Sequence, residues 1–178
     1  MLTNFYAFCR LRTAQRKYNQ GKENEAIGLL EKNVQKAPKY SFSYLYLARY
    51  YLQKNEIDKS FTYILTALEL EPKNSVYIMW KGILLYEKKL YDQAKETFLQ
   101  AAEYDFSNLL IQNYIALCYL QEENFQEFEK ILEQKGIFES QDFQIRLLMA
   151  LTIVVNKKIK IENEKKDTHE YSDRDTVK

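Results

Sequence analysis

Catalysis and metal binding require titratable or ligating side chains that converge, and this sequence holds few. Its one histidine, His169, stands in a charged run near the end of the chain, away from any core-forming pattern, so no histidine triad or zinc cluster can be built around it. Cys9 and Cys118 fit no zinc or redox spacing and stand too far apart to act together. Gly21, Gly28, Gly82 and Gly136 are scattered and form no phosphate-cradling run. The densest carboxylates are Glu122, Glu123, Glu127 and Glu129, whose spacing is that of a solvated helix face rather than an acid–base pair. The expectation is a protein that is not an enzyme, with no cofactor and no metal.

What the sequence offers instead is apolar surface. Of 178 residues, 46% are apolar and 15% aromatic, enough for one domain of ordinary size with its own core. Four Gly and two Pro are too few turn-formers for a sandwich or barrel, so the chain is expected to be helical. With 26 basic and 25 acidic side chains the net charge is +1, which predicts no overall attraction to nucleic acid or to anionic membrane. The longest apolar run, Leu147 to Val155, is too short to span a bilayer, and no transmembrane segment is expected. The first nine residues lack a basic leader, with Arg10 and Arg12 following rather than preceding them. Two unpaired cysteines suit a reducing compartment, and a cytoplasmic location is expected.

Repetition organises the chain. Pro38 and Pro72 lie 34 residues apart, and the same step connects five small residues: Ala14, Ala48, Gly82, Ala116 and Ala150. Cutting at that period gives units 7–40, 41–74, 75–108 and 109–142, a half-unit 143–155, and a charged tail 156–178. Each full unit reads as two helical stripes. In the second unit Tyr44, Leu47, Ala48 and Tyr51 form the first stripe, Asn55 marks the turn, and Phe61, Ile64, Ala67 and Leu68 form the second. In the third the matching residues are Ile78, Gly82 and Leu85, then Tyr91, Ala94, Phe98 and Ala101. Two antiparallel helices on a short turn approach closely only where a side chain is nearly absent, hence the recurrent small residue. The prolines stop the second helices.

These residues resemble the tetratricopeptide repeat family: the period of 34, the aromatic-xx-Leu-small-xx-Tyr pattern of Tyr44, Leu47, Ala48 and Tyr51, and the Ala-xxx-Phe of Ala94 and Phe98. Departures fall in the outer units, where Arg10, Thr13 and Lys17 replace bulky apolar residues, Phe128 replaces a small one, and Phe106 replaces the third proline. The resemblance implies an all-α, right-handed α-solenoid of about four helical hairpins plus a C-terminal helix over residues 1–155, with first helices lining a concave groove. Groove positions would then be Phe8, Leu11 and Tyr18; Phe42, Leu45, Tyr46 and Arg49; Val76, Met79, Trp80, Ile83 and Tyr86; and Leu110, Tyr114 and Leu117.

Such a greasy lining predicts a protein–protein interaction module or adaptor that takes an apolar peptide or amphipathic helix of another protein, with Trp80, Tyr46, Tyr114 and Met79 as anchors. The competing reading is that these side chains pack the first helices against one another. Family members that grip a C-terminal carboxylate use Lys, Arg and Asn on successive first helices; the matching places here hold Leu11, Gln15, Tyr46, Val76 and Trp80. The groove chemistry looks closer to the small chaperones of the family that shield hydrophobic stretches. A second function class also follows. Residues 1–40 carry eight basic and three acidic side chains, residues 109–142 two and seven, and Leu147, Leu148, Met149, Ala150, Leu151, Ile153, Val154 and Val155 leave the last helix almost no polar face. Those features suit a homo-oligomeric, self-assembling scaffold.

Overall fold

Helix starts recur at the 34-residue step. In the computed structural model the described residues are 2–133 together with 144, 147, 148, 151, 155 and 158. Among them the first helices of successive hairpins are α1 (Leu2–Asn19), α3 (Ser41–Gln53), α5 (Ser75–Glu87) and α7 (Leu109–Gln121). The second helices are α2 (Glu23–Lys36), α4 (Ile57–Leu70), α6 (Tyr91–Tyr104) and α8 (Phe125–Leu132). No strand occurs among the described residues, and none of their helices is long and apolar enough to cross a membrane. The half-unit 143–155 lies largely outside the described residues: of it Gln144, Leu147, Leu148, Leu151 and Val155 are described, and all are helical. Apart from Lys158, the tail 156–178 with His169 lies outside them, as does Gly136.

The turn between paired helices is the same device four times. Gly21, Asn55, Lys89 and Glu123, each 34 residues from the next, all take the left-handed backbone, with φ of 75°, 61°, 61° and 58°. The following amide reaches back to close the first helix: Lys22 donates to the carbonyl of Lys17, Glu56 to Tyr51, Leu90 to Leu85 and Asn124 to Tyr119, at 2.9–3.0 Å. This is the Schellman closure, which satisfies carbonyls a helix end would otherwise leave bare. Each second helix then starts with acidic residues in its first turn: Glu23 and Glu25, Asp58, Asp92, and Glu127, complementing the positive end of the helix dipole. Asn74 and Asn108, again one period apart, cap the first helices that follow by accepting from the amides of Val76 and Leu110 at 3.1 Å.

The structure falls into two compact units, Met1–Ile111 and Gln112–Lys178. In the first, helices of a hairpin pack side by side and each second helix packs on the next first helix. Second helices therefore bury one stripe, as in Ser60, Ile64 and Ala67 of α4. First helices are covered on two sides, which is why α3 buries Ser41, Ser43, Leu45, Leu47, Ala48, Tyr50 and Tyr51 and reads as apolar nearly all round. Gly82 shows how tight the hairpin contact is: a methyl group there would lie 2.7 Å from the ring of the fully buried Phe98.

Buried polar groups pin the hairpins. Asn33, fully buried where Ala67 and Ala101 stand in later units, donates to the Ala7 carbonyl at 2.9 Å and to Ser43 Oγ at 2.8 Å, so one amide ties α2 to both α1 and α3. One period on, the Tyr77 hydroxyl donates to Ser41 Oγ at 2.9 Å and Ser41 donates to Glu71, joining α5, α3 and the end of α4. Neither pin was visible from spacing, since Asn33 reads as a break in an apolar stripe and Ser41 as a helix start. In the second unit, Ile115, Ala116, Leu117, Cys118 and Leu120 of α7 are buried, as is Phe128 of α8, the bulky residue at a position that holds a small one elsewhere.

Candidate protein-interaction face

The first helices α1, α3 and α5 bring most of the expected groove residues of the first unit into one region, and they sort them into two populations. Leu11, Leu45, Met79 and Ile83 are buried. Leu11 packs in the cluster of Ala14, Leu30, Leu47 and Tyr50, and Leu45 in that of Ala48, Ile64, Tyr77 and Leu84. These side chains hold helices together. By contrast Phe8, Phe42 and Val76, one from each first helix, expose 49%, 45% and 37% of their surface, and Leu110 at the start of α7 is exposed as well. Tyr18, Tyr46, Arg49, Trp80 and Tyr86 are half-buried. In the second unit Tyr114 and Leu117 are buried.

Between the two populations runs a ladder of rings. Tyr18 of α1 stacks on Tyr50 of α3 with centroids 3.8 Å apart and planes 6° from parallel. Tyr50 meets Tyr46 edge to face at 6.1 Å. The Arg49 guanidinium then sits 5.1 Å from the Tyr46 ring and 5.2 Å from the Trp80 ring, bridging α3 to α5. Trp80 also packs against the Leu45–Tyr77 cluster. The Tyr18 hydroxyl donates to Gln53, fixing the outer end of the ladder. Tyr50 was not among the expected residues. Its place between Tyr46 and Leu52 gave the signal, but the stripe reading assigned it to neither face.

Burial also shifts the hydroxyls of the ladder. Burial pushes the Tyr50 hydroxyl up to about 12, assisted by Tyr46 and opposed by Arg49. Tyr18 is raised by burial first and by Glu23 second, again opposed by Arg49. No group of three or more His, Cys, Asp or Glu that could hold a metal occurs among the described residues. The remaining feature of note lies on α1, where Arg12, Thr13, Gln15, Arg16, Asn19 and Gln20 line a polar surface hollow of about 520 Å³. Gln15, one of the places compared with the carboxylate-gripping pattern, belongs to that hollow.

No protein-family model matches this sequence, and no curated protein does. Solved structures do. PilF of Pseudomonas aeruginosa superposes with a TM-score of 0.73 at 16% identity, over 88% of this chain and 72% of that one. MamA superposes with a TM-score of 0.63 at 20% identity, over 71% and 77%. The first TPR of Spaghetti (RPAP3), solved bound to the HSP90 peptide SRMEEVD, gives a TM-score of 0.61 at 16% identity, over 67% and 93%. At such identities the likeness is one of fold, and it agrees with the 34-residue register of helices and turns: this chain has the tetratricopeptide-repeat fold.

Proposed function

We propose that the chain is a non-catalytic protein-interaction module, and that the faces of α1, α3 and α5 hold an apolar segment of a partner protein. The observation that carries the reading is the exposure of Phe8, Phe42 and Val76, one per first helix, beside a ladder of packed, largely half-buried rings. Exposed apolar side chains on successive elements, held by a preorganised base, are what a peptide-binding surface needs: area to desolvate and little entropy to lose. The solved RPAP3 neighbour holds the peptide SRMEEVD, which carries three acidic residues. The places compared above hold Leu11, Gln15, Tyr46, Val76 and Trp80, with no cation, which favours an apolar segment over such an acidic tail.

The exposed trio makes a cleaner probe than Trp80, whose truncation would also loosen Arg49 and the Leu45–Tyr77 cluster. Replacing Phe8, Phe42 and Val76 together by Ser is expected to leave helicity and melting nearly unchanged, because surface substitutions move stability by about 0.5 kcal/mol or less each. Affinity capture with mass spectrometry should then lose the partner that the parent protein retains. Identical capture by both proteins would remove the reading.

A self-assembling scaffold is supported by a different observation. Leu148, Leu151 and Val155, spaced to share one helical face, expose 65%, 37% and 52% of their surface. Light scattering at two salt concentrations separates the readings: a monomer under both conditions eliminates the scaffold, and salt-sensitive oligomers support it.

A further inference from the structure

Arg49 is the cation of the ring ladder. Its guanidinium lies between Tyr46 and Trp80, 5.1 and 5.2 Å from the ring centres, and so is held in place by two aromatic neighbours. Lys17, Lys59, Lys88 and Lys130 each pair with a carboxylate, but Arg49 makes no ion pair and gives no hydrogen bond to any described residue. The five N–H donors of half-buried Arg49 lie in one plane beside an apolar face. Ring contacts engage the flat of a guanidinium and leave its edge, where those donors lie, free for a planar acceptor.

Resting on the reading of this face as a peptide site, we infer that Arg49 is its carboxylate receptor: the apolar segment bound there carries an internal Asp or Glu side chain that docks on the Arg49 fork. One cation answers one carboxylate, and the surroundings say where in the segment it lies. Apolar contact surface exists on both sides of Arg49, as Phe8 and Tyr18 toward α1 and as Val76, Trp80 and Tyr86 toward α5, with Phe42 two turns earlier on α3 itself. With apolar contact surface on both sides of Arg49, and with Arg12 and Arg16 lining the hollow on α1 instead, the carboxylate belongs to the middle of a segment. A chain terminus would leave one side bare. The rings hold the guanidinium in place, so little freedom is lost on pairing, while a segment with Lys at that place would set two cations together.

The test is a random peptide display selection on the intact chain, run in parallel on Arg49→Gln and on Phe42→Ser, followed by binding of the recovered peptides as synthetic Glu, Gln and C-terminally amidated versions. The expected result is recovery of peptides with one Asp or Glu between bulky apolar residues. Glu→Gln in such a peptide should weaken binding to the parent protein about ten-fold, the loss of one charge-assisted pair, and leave binding to Arg49→Gln nearly unchanged. The first comparison uses the parent protein alone and does not depend on how the variant folds. Amidation should change nothing; a large loss on amidation would overturn the internal placement. Apolar peptides with no acidic preference, lost on Phe42→Ser, would overturn the Arg49 inference and leave the groove reading standing. Recovery that is unaffected by Phe42→Ser, or no recovery at all, would sink both.

Discussion

The second and third hairpins solve one packing problem with different residues. In α3–α4 the close approach is made by Ala48 against Ile64; in α5–α6 it is made by Gly82 against Phe98, whose ring would meet any added methyl at 2.7 Å. The first hairpin pairs Ala14 with Leu30 in the same way. The small residue and the large one are therefore read as a matched set, the smallest residue facing the largest partner where Gly82 meets Phe98. The hairpins differ at the turn too, with Asn55 in one and Lys89 in the other, both left-handed. Tyrosine burial is common to both, since the Tyr77 hydroxyl of α5 is also raised chiefly by burial. The hydroxyls of Tyr44, Tyr50, Tyr51 and Tyr63 in α3–α4 are all pushed upward chiefly by burial, and Tyr51 is pushed further by its bond to Glu31 at 2.9 Å. Conserving the architecture thus leaves freedom in the means, provided each pair of positions is changed together.

The strongest way to break the comparison is to impose one hairpin's solution on half of the other. Gly82→Ala is expected to destabilise by about 1–3 kcal/mol through overpacking against Phe98, outweighing the helix preference for Ala, and the denaturant midpoint reads it. Adding Phe98→Leu should recover much of that loss, with the double change costing clearly less than the two single changes added together. Simple additivity would show that the two positions are not matched.

A smaller effect is a dependence of stability on pH at the ring ladder. An unfolded tyrosine loses its proton near pH 10, whereas folded Tyr50 keeps it up to about 12. Between those values the unfolded chain binds fewer protons, so stability falls as pH rises from 10 to 12, and below 10 these groups contribute no slope. Thermal melts across this range should show the decline, and Tyr50→Phe should lessen it. The smallest effect is at the turns. Lys89→Gly should stabilise by about 0.5–1 kcal/mol, because Gly takes the left-handed backbone without a Cβ penalty, while Asn55→Gly should change little, since Asn tolerates that region. Equal responses at the two turns would show that side-chain identity there is immaterial.

Much of the architecture was legible before any coordinates. The small residues at Ala14, Ala48 and Gly82 and the stops at Pro38 and Pro72 marked the register that the helices follow, because hairpin packing depends on local spacing within a unit. The site was legible in outline only. Phe8, Phe42 and Val76 are exposed, but Leu11, Leu45, Met79 and Ile83, drawn from the same periodic positions, are buried. Periodicity places a residue on a helix face and says nothing of how far the neighbouring helix covers that face. Asn33 was missed for a related reason: its partners Ala7 and Ser43 lie 26 and 10 residues away, on two other helices.

By itself the chain of residues determined the helical class and the 34-residue unit, which follow from side-chain size and type over a few turns. Only the tertiary structure decided which apolar side chains are mortar and which are surface, set Tyr50 between Tyr18 and Tyr46, and lodged Arg49 between Tyr46 and Trp80. Those outcomes depend on distances between residues up to 34 positions apart, and only the packing of one helix on the next sets such distances.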